Sequence, residues 1–130
     1  MDDIADPRTK TASWPLRKAP HQRVKIYVGE DMVGVGKVRL LACLDRHGSI
    51  AAAAEAMGVN VERAWFLLET LQNCFQAPLY VAARGSEEAP AEVTPLGREL
   101  IARYDDHVAK LDAASLNFLA WLEAHQREIR

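Results

Sequence analysis

In the run Val59-Asn60-Val61-Glu62-Arg63 an arginine follows an asparagine by three residues, and that spacing sets the first chemical reading. An asparagine placed just before an apolar-periodic stretch caps a helix, so Arg63 falls in the helix's first turn. There the backbone N–H groups and the helix dipole favour an anion. A guanidinium at that place can meet a guanine edge or a phosphate. Asn60 can donate to a phosphate or a base besides capping. Ser49 stands in the same relation to the preceding helix, Arg84 lies in a loop beside Gly85, and Lys37 opens an earlier helix. The candidate DNA-binding residues are therefore Ser49, Asn60, Arg63, Arg84 and Lys37. Each also has a plainer use as a cap, an ion-pair partner or a solvated charge. Trp65 reads as core, holding the helix against its neighbours.

Other chemistry finds less support. No nucleophile elbow, phosphate-cradling glycine loop with lysine, or H-E-x-x-H occurs. His21, His47, His107 and His125 lack the spacing of metal ligands. Asp105, Asp106 and His107 are consecutive, and on a helix such residues point about 100° apart. Cys43 and Cys74 lie 31 positions apart with no C-x-x-C, and they read as small buried hydrophobes. The expectation is a protein that is not an enzyme and has neither cofactor nor metal site.

Composition agrees with a folded domain. The chain has 130 residues, 49% hydrophobic and 26% charged, enough to bury a core without disulfides. Its longest apolar runs are too short to span a bilayer, and no signal peptide is visible at the start. Cytoplasmic location is the default. Net charge is −2, which excludes a globally basic nucleic-acid binder. The charge is uneven, however. Arg8, Lys10, Arg17, Lys18, Arg23 and Lys25 lie between residues 7 and 25 with no acid among them. Residues 1–22, with Pro7, Pro15 and Pro20 and no period, read as a basic flexible arm able to attract phosphate locally.

The elements that must position these residues follow from periodicity and caps. Val24 to Val28 alternate and stop at Gly29, a short strand, and Gly34 and Gly36 bracket a turn. A helix from about Lys37 to Arg46 ends at Gly48. A second, capped by Ser49, runs from Ile50 to Met57 and stops at Gly58. A third, capped by Asn60, carries the stripe Ala64, Leu67, Leu68, Leu71 and Phe75. Alanines on the second helix allow close approach, and Gly58 supplies a tight turn. The segment 49–75 is thus a helix-turn-helix. Leu79 to Val81 and Glu92-Val93, joined by the loop Arg84 to Ala91, form a hairpin over about 79–94, the natural form of a wing.

Thr94 caps a fourth helix with Pro95 in its first turn. This helix is expected to run unbroken to near the end. Tyr104, Val108, Leu111, Ser115, Phe118, Leu122, His125 and Ile129 are spaced 4-3-4-3-4-3-4 along it, a heptad seam. At about 1.5 Å per residue, a 30-residue helix extends about 45 Å, more than a domain this small covers alone. The seam suggests a partner helix, most simply from a second copy, with Tyr104, Val108, Leu111, Phe118, Leu122 and Ile129 as dimerisation residues; the alternative is an end that folds back as a shorter helix on its own domain. The division expected is an arm at 1–22, a winged helix-turn-helix at 23–94 and a dimerisation helix at 95–130.

Five stretches carry a family resemblance: G-V-G-K-V-R-L-L (34–41), D-R-H-G-S-I-A-A-A-A-E-A-M-G-V (45–59), R-A-W-F-L-L (63–68), F-Q-A-P-L (75–79) and V-T-P-L-G-R-E-L (93–100). Together they resemble the N-terminal DNA-binding domain of ModE-type molybdate-responsive regulators, itself similar to the winged helix-turn-helix of LysR-type regulators. The resemblance covers roughly residues 24–104. It implies a mainly α fold with a small β-hairpin and a dimer through the flanking long helix. Full-length family members continue into oxyanion-binding domains. This chain is expected to lack them, ending at Arg130, so molybdate is not carried over. It departs further in the opening Asn60-Val61-Glu62-Arg63 of its recognition helix and in Glu87 and Glu88 of its wing, which weigh against tight DNA binding.

The resulting expectation is a homodimeric, sequence-specific regulator of transcription whose partners are double-stranded DNA and its own second copy, with no membrane. The alternative is a winged-helix adaptor for protein partners with weak or no DNA binding.

Overall fold

The computed structural model describes residues 19–127. Arg8, Lys10, Arg17 and Lys18 of the basic arm, and Ile129 of the seam, lie outside the described residues. Two antiparallel strands come first, β1 (Lys25–Val28) and β2 (Asp31–Gly34), paired from Lys25 opposite Gly34 to Val28 opposite Asp31. Gly29 has φ +65° and Glu30 does not share a positive φ, the pattern of a two-residue II′ hairpin turn. The second strand is a departure from the sequence reading, which ended the extended segment at Gly29. Asp31 to Gly34 contains no strict alternation to signal it, and pairing with β1 supplies the order instead.

Three helices build the core: α1 (Val35–His47), α2 (Ile50–Met57) and α3 (Val61–Gln72). The first begins two residues earlier than expected, with Gly34 as its N-cap. Apolar side chains from all three meet in one cluster. Leu40, Leu41 and Leu44 of α1, Ile50 of α2, and Leu68 and Leu71 of α3 are fully buried. Burying each such side chain contributes about 1.5–3 kcal/mol. Ala53, Ala54 and Ala64 have no side chain beyond a methyl, so α2 and α3 pack closely. Gly58 closes α2 with φ +73°, a left-handed conformation that an L side chain adopts only with strain.

The wing consists of β3 (Tyr80–Val81) and β4 (Glu92–Val93), antiparallel, with Tyr80 opposite Val93. Then α4 (Pro95–Ala114) begins as expected. Thr94 Oγ1 accepts from Gly97 N–H at 3.1 Å, while the hydroxyl donates to Pro78 O at 2.7 Å. Gly97 is buried, and a Cβ there would run into the Leu79 carbonyl oxygen and lie 2.6 Å from Val93 Cγ1. The glycine of the T-P-L-G run is therefore a close approach between helix and wing.

The expected unbroken terminal helix is interrupted. Ser115 has φ −95° and ψ 0°, and α5 (Leu116–His125) follows it. The Ser115 N–H is shared between the carbonyls of Leu111 (2.9 Å) and Asp112 (3.2 Å), the sign of a locally tightened turn. Its hydroxyl and the side chain of Gln22 are hydrogen-bonded, and Gln22 also donates to Asp112 at 3.0 Å.

The described residues form two units, Arg23–Val108 and a second in which Gln22 joins the residues from Ala109 onward. The boundary between these units falls within α4. Tyr104 accordingly belongs to the first unit. It is 5% exposed and its hydroxyl donates to Val24 O at 2.7 Å. It is a core residue, not a seam residue, because its ring and hydroxyl are both used within its own domain. Val108 likewise packs against that core. No helix among the described residues is long and apolar enough to cross a membrane.

Candidate nucleic-acid interface

The helix-turn-helix is held by local bonds. Ser49 Oγ accepts from Ala52 N–H at 3.1 Å and Asn60 Oδ1 from Arg63 N–H at 2.7 Å, each satisfying a helix N–H that has no partner within its own helix. Both caps were legible in the sequence, and capping occupies the oxygen of each.

The inner side of α3 is buried through Ala64, Trp65, Leu68 and Leu71. The outer side presents Glu62, Arg63, Phe66 and Glu69 to solvent. The Arg63 guanidinium lies 5.2 Å from the centroid of the Phe66 ring, an i,i+3 cation–π pair. Phe66 is 51% exposed. Phe66 does not stand out in the sequence, because an isolated apolar residue off the helical stripe carries no periodic signal.

Arg84 comes to α3 from the wing. It pairs with Glu62 at 3.0 Å and Glu69 at 3.3 Å, and its guanidinium sits 5.0 Å from the Trp65 ring centroid. These are surface ion pairs, worth at most about 1 kcal/mol each. Their consequence is electrostatic: one cation offsets part of the acidity of the outward face of α3. Tyr80 lies at the same junction, where burial, assisted by Glu69 and opposed by Arg84, pushes its phenol up to about 12.

Glu87 does something the sequence reading did not anticipate. Its carboxylate accepts from the Trp65 indole at 2.9 Å and from Gly85 N–H at 2.8 Å. These two hydrogen bonds, the backbone one foremost, hold its pKa below the usual carboxylate range. Its backbone carbonyl accepts from Ala51 N–H at 2.9 Å, and Ala91 N–H donates to Gly48 O at 2.8 Å. The wing is thereby fastened to the start of α2 and to α3. An acid expected to repel phosphate is spent instead on internal bonds.

Lys37 lies apart from this surface. Its side chain is buried, 6% exposed, and Nζ donates to Met32 O at 3.2 Å. The ammonium satisfies the carbonyl of a residue on β2, so it is neither solvated nor turned toward a phosphate. Ser49, Asn60, Arg63 and Arg84 remain around α2, α3 and the wing, and Lys37 does not join them.

Among the described residues no cluster of three or more His, Cys, Asp or Glu is placed to hold a metal ion. Cys43 and Cys74 are free thiols packed against the core, and burial raises both pKa values.

No family model matches the chain. It is similar to the molybdenum-pterin-binding protein MopA of Rhodobacter capsulatus, 42% identical over 77 residues, 58% of this chain and 29% of that one. The molybdenum-pterin-binding protein MopB of the same organism is 40% identical over 83 residues, 61% of this chain and 31% of MopB. The molybdenum transport protein ModE of Azotobacter vinelandii is 33% identical over 69 residues, 52% of this chain and 26% of ModE. The chain thus spans under a third of the length of the curated relatives it matches. In three dimensions it is similar to a LysR family transcriptional regulator, with a TM-score of 0.51 and 18% identity over 71% of this chain and 31% of that chain. The names of these relatives speak of molybdenum binding, molybdenum transport and transcriptional regulation, and none is the name of an enzyme. The chain carries a winged helix-turn-helix fold of the kind found in LysR family regulators, in a sequence that resembles ModE and the Mop proteins.

Proposed function

We propose that the protein is a homodimeric, sequence-specific DNA-binding regulator of transcription that works in the cytoplasm. The observation that carries the reading is the two-sidedness of α3: one side locked into the core, the other offering Arg63 and Phe66 from an Asn60-capped first turn. In a winged helix-turn-helix this is the part that enters the major groove. Arg63 reads a guanine edge or a phosphate. Ser49 and Asn60 contribute from the two helix starts, and Arg84 approaches a phosphate from the edge of the wing while it stays paired with Glu62 and Glu69. The basic arm adds affinity without sequence preference.

The test is binding to a random-sequence duplex pool at low salt, followed by selection. Salt-dependent binding with a preferred sequence is expected. Arg63→Ala should weaken the selected duplex by about 1–3 kcal/mol and relax one position per half-site if it reads a base. A phosphate role would weaken all duplexes alike. An intact dimer that binds no duplex at low salt would favour the adaptor reading, to which the outward acids Glu62 and Glu88 lend support.

A further inference from the structure

We propose that Phe66 is a specificity-determining residue that reads the C5-methyl group of a thymine beside the guanine taken by Arg63. This rests on the DNA-binding reading above and names what the middle of α3 recognises.

Phe66 stands on the side of α3 that the core does not use. Its neighbours Trp65 and Leu68 are buried, 3% and 0% exposed, while Phe66 itself is 51% exposed. An aromatic residue is a poor choice for an exposed helix position on grounds of propensity alone, because the helix restricts its χ1. It disposes of no apolar surface in the core, and Arg63 covers one of its faces. What the pair presents outward is one planar cation and one apolar edge, one helical turn apart. The major groove offers the complement to each: guanine N7 and O6 accept from a guanidinium, and thymine alone among the four bases carries an apolar methyl group. Stacking on Phe66 also limits the orientations open to Arg63, so the cation is aimed before contact. Glu62 and Glu69, the acids on the same outward side, are both held by Arg84. The centre of the helix is thereby left to the Arg63–Phe66 pair.

The experiment uses the full-length protein and the duplex recovered by selection. Each thymine is replaced singly by deoxyuridine, which keeps every hydrogen-bonding group and loses only the methyl. One thymine per half-site, adjacent to the guanine position relaxed by Arg63→Ala, should bind about fourfold more weakly as deoxyuridine, the effect of leaving one methyl group unburied. Phe66→Ser should bind the parent duplex more weakly and no longer distinguish thymine from deoxyuridine there, and Phe66→Leu should keep part of the discrimination. A selected sequence in which no thymine senses the loss of its methyl would overturn the proposal while leaving DNA binding intact. So would Phe66→Ser that discriminates as wild type does, or that turns the dimer into monomer, since the ring would then be covered by a second copy. Absence of any duplex binding by wild type would remove the functional reading and this proposal with it.

Discussion

Glu87 joins the wing to α3 through a single carboxylate, with the Trp65 indole on one side and the Gly85 N–H on the other. Both bonds are made to the charged form, which is why its pKa lies below the usual value of 4.5. A depressed folded-state pKa means that stabilisation by Glu87 is fully present above the unfolded-state value and is lost as pH falls through the folded one. Acidification below about 4.5 should therefore release the Trp65 indole N–H, followed as a chemical-shift titration with a midpoint below 4.5. In Glu87→Gln, which keeps an acceptor but does not titrate, the indole signal should not move over the same range. A titration that persists in that variant would assign the pH response to another group. At this scale Arg84 has the complementary role, since it faces Glu62, Glu69 and the Trp65 ring at once.

Among the elements, the contact between the wing and α4 is the least forgiving. Leu79 O accepts from Thr94 N–H at 2.9 Å, and Leu79 N–H donates to Gln72 Oε1 at 2.7 Å. The backbone at Leu79 is thus tied from both sides, and the missing side chain of Gly97 is what lets α4 start against it. Gly97→Ala gains about 1 kcal/mol of helix propensity. Against that stands an overpacking cost of about 1–3 kcal/mol, at the upper end here because the obstructing atom is backbone. We expect a net loss on the order of 1–2 kcal/mol and a fall in melting temperature of roughly 5–10 °C, read by circular dichroism. An unchanged melting temperature would show that α4 shifts freely. Helix α3 behaves differently. Its position depends on side chains deep in the core, and Leu68→Ala should cost about 2–5 kcal/mol by leaving a cavity, measured by denaturant unfolding.

For the whole molecule the issue is what covers the C-terminal helices. In α5, Leu116, Phe118 and Trp121 are all exposed, Phe118 by 62%, and none of its residues is buried within the chain. Phe118 and Trp121 stack with centroids 6.4 Å apart, and Trp121 stacks on His125 at 4.7 Å. These aromatic contacts organise an apolar surface without removing it from water. We expect the wild type to sediment as a dimer at micromolar concentration and the double variant Leu111→Ser with Phe118→Ser to sediment as a monomer. A variant that remains dimeric would place the interface elsewhere. Tyr104 and Val108, though on the heptad spacing, have contacts inside the first unit.

The helix-turn-helix was legible because its determinants are neighbours in the chain. Ser49 and Asn60 cap helices whose first N–H groups lie three residues away, and Gly58 ends a helix by its own backbone conformation. Alanine and leucine spacing assigned the core side of α2 and α3 on the same short range. The wing, the Thr94–Pro95 start of α4 and the placing of Trp65 in the core followed from equally local patterns. What the fold alone decided involves partners far apart in sequence. Glu87 meets Trp65 across 22 residues, and Tyr104 meets Val24 across 80. Gly97 is required by the Leu79 backbone, and its place in the T-P-L-G run conveys nothing of that contact. Lys37, read as a surface cation, is enclosed by β2, a strand that itself appears only through pairing with β1. Local propensity and capping energies act within about one helical turn and are written in residue order. Burial, and with it the choice between a charge that meets phosphate and one that meets a carbonyl, depends on which distant segments are brought together, and only the tertiary structure supplies that.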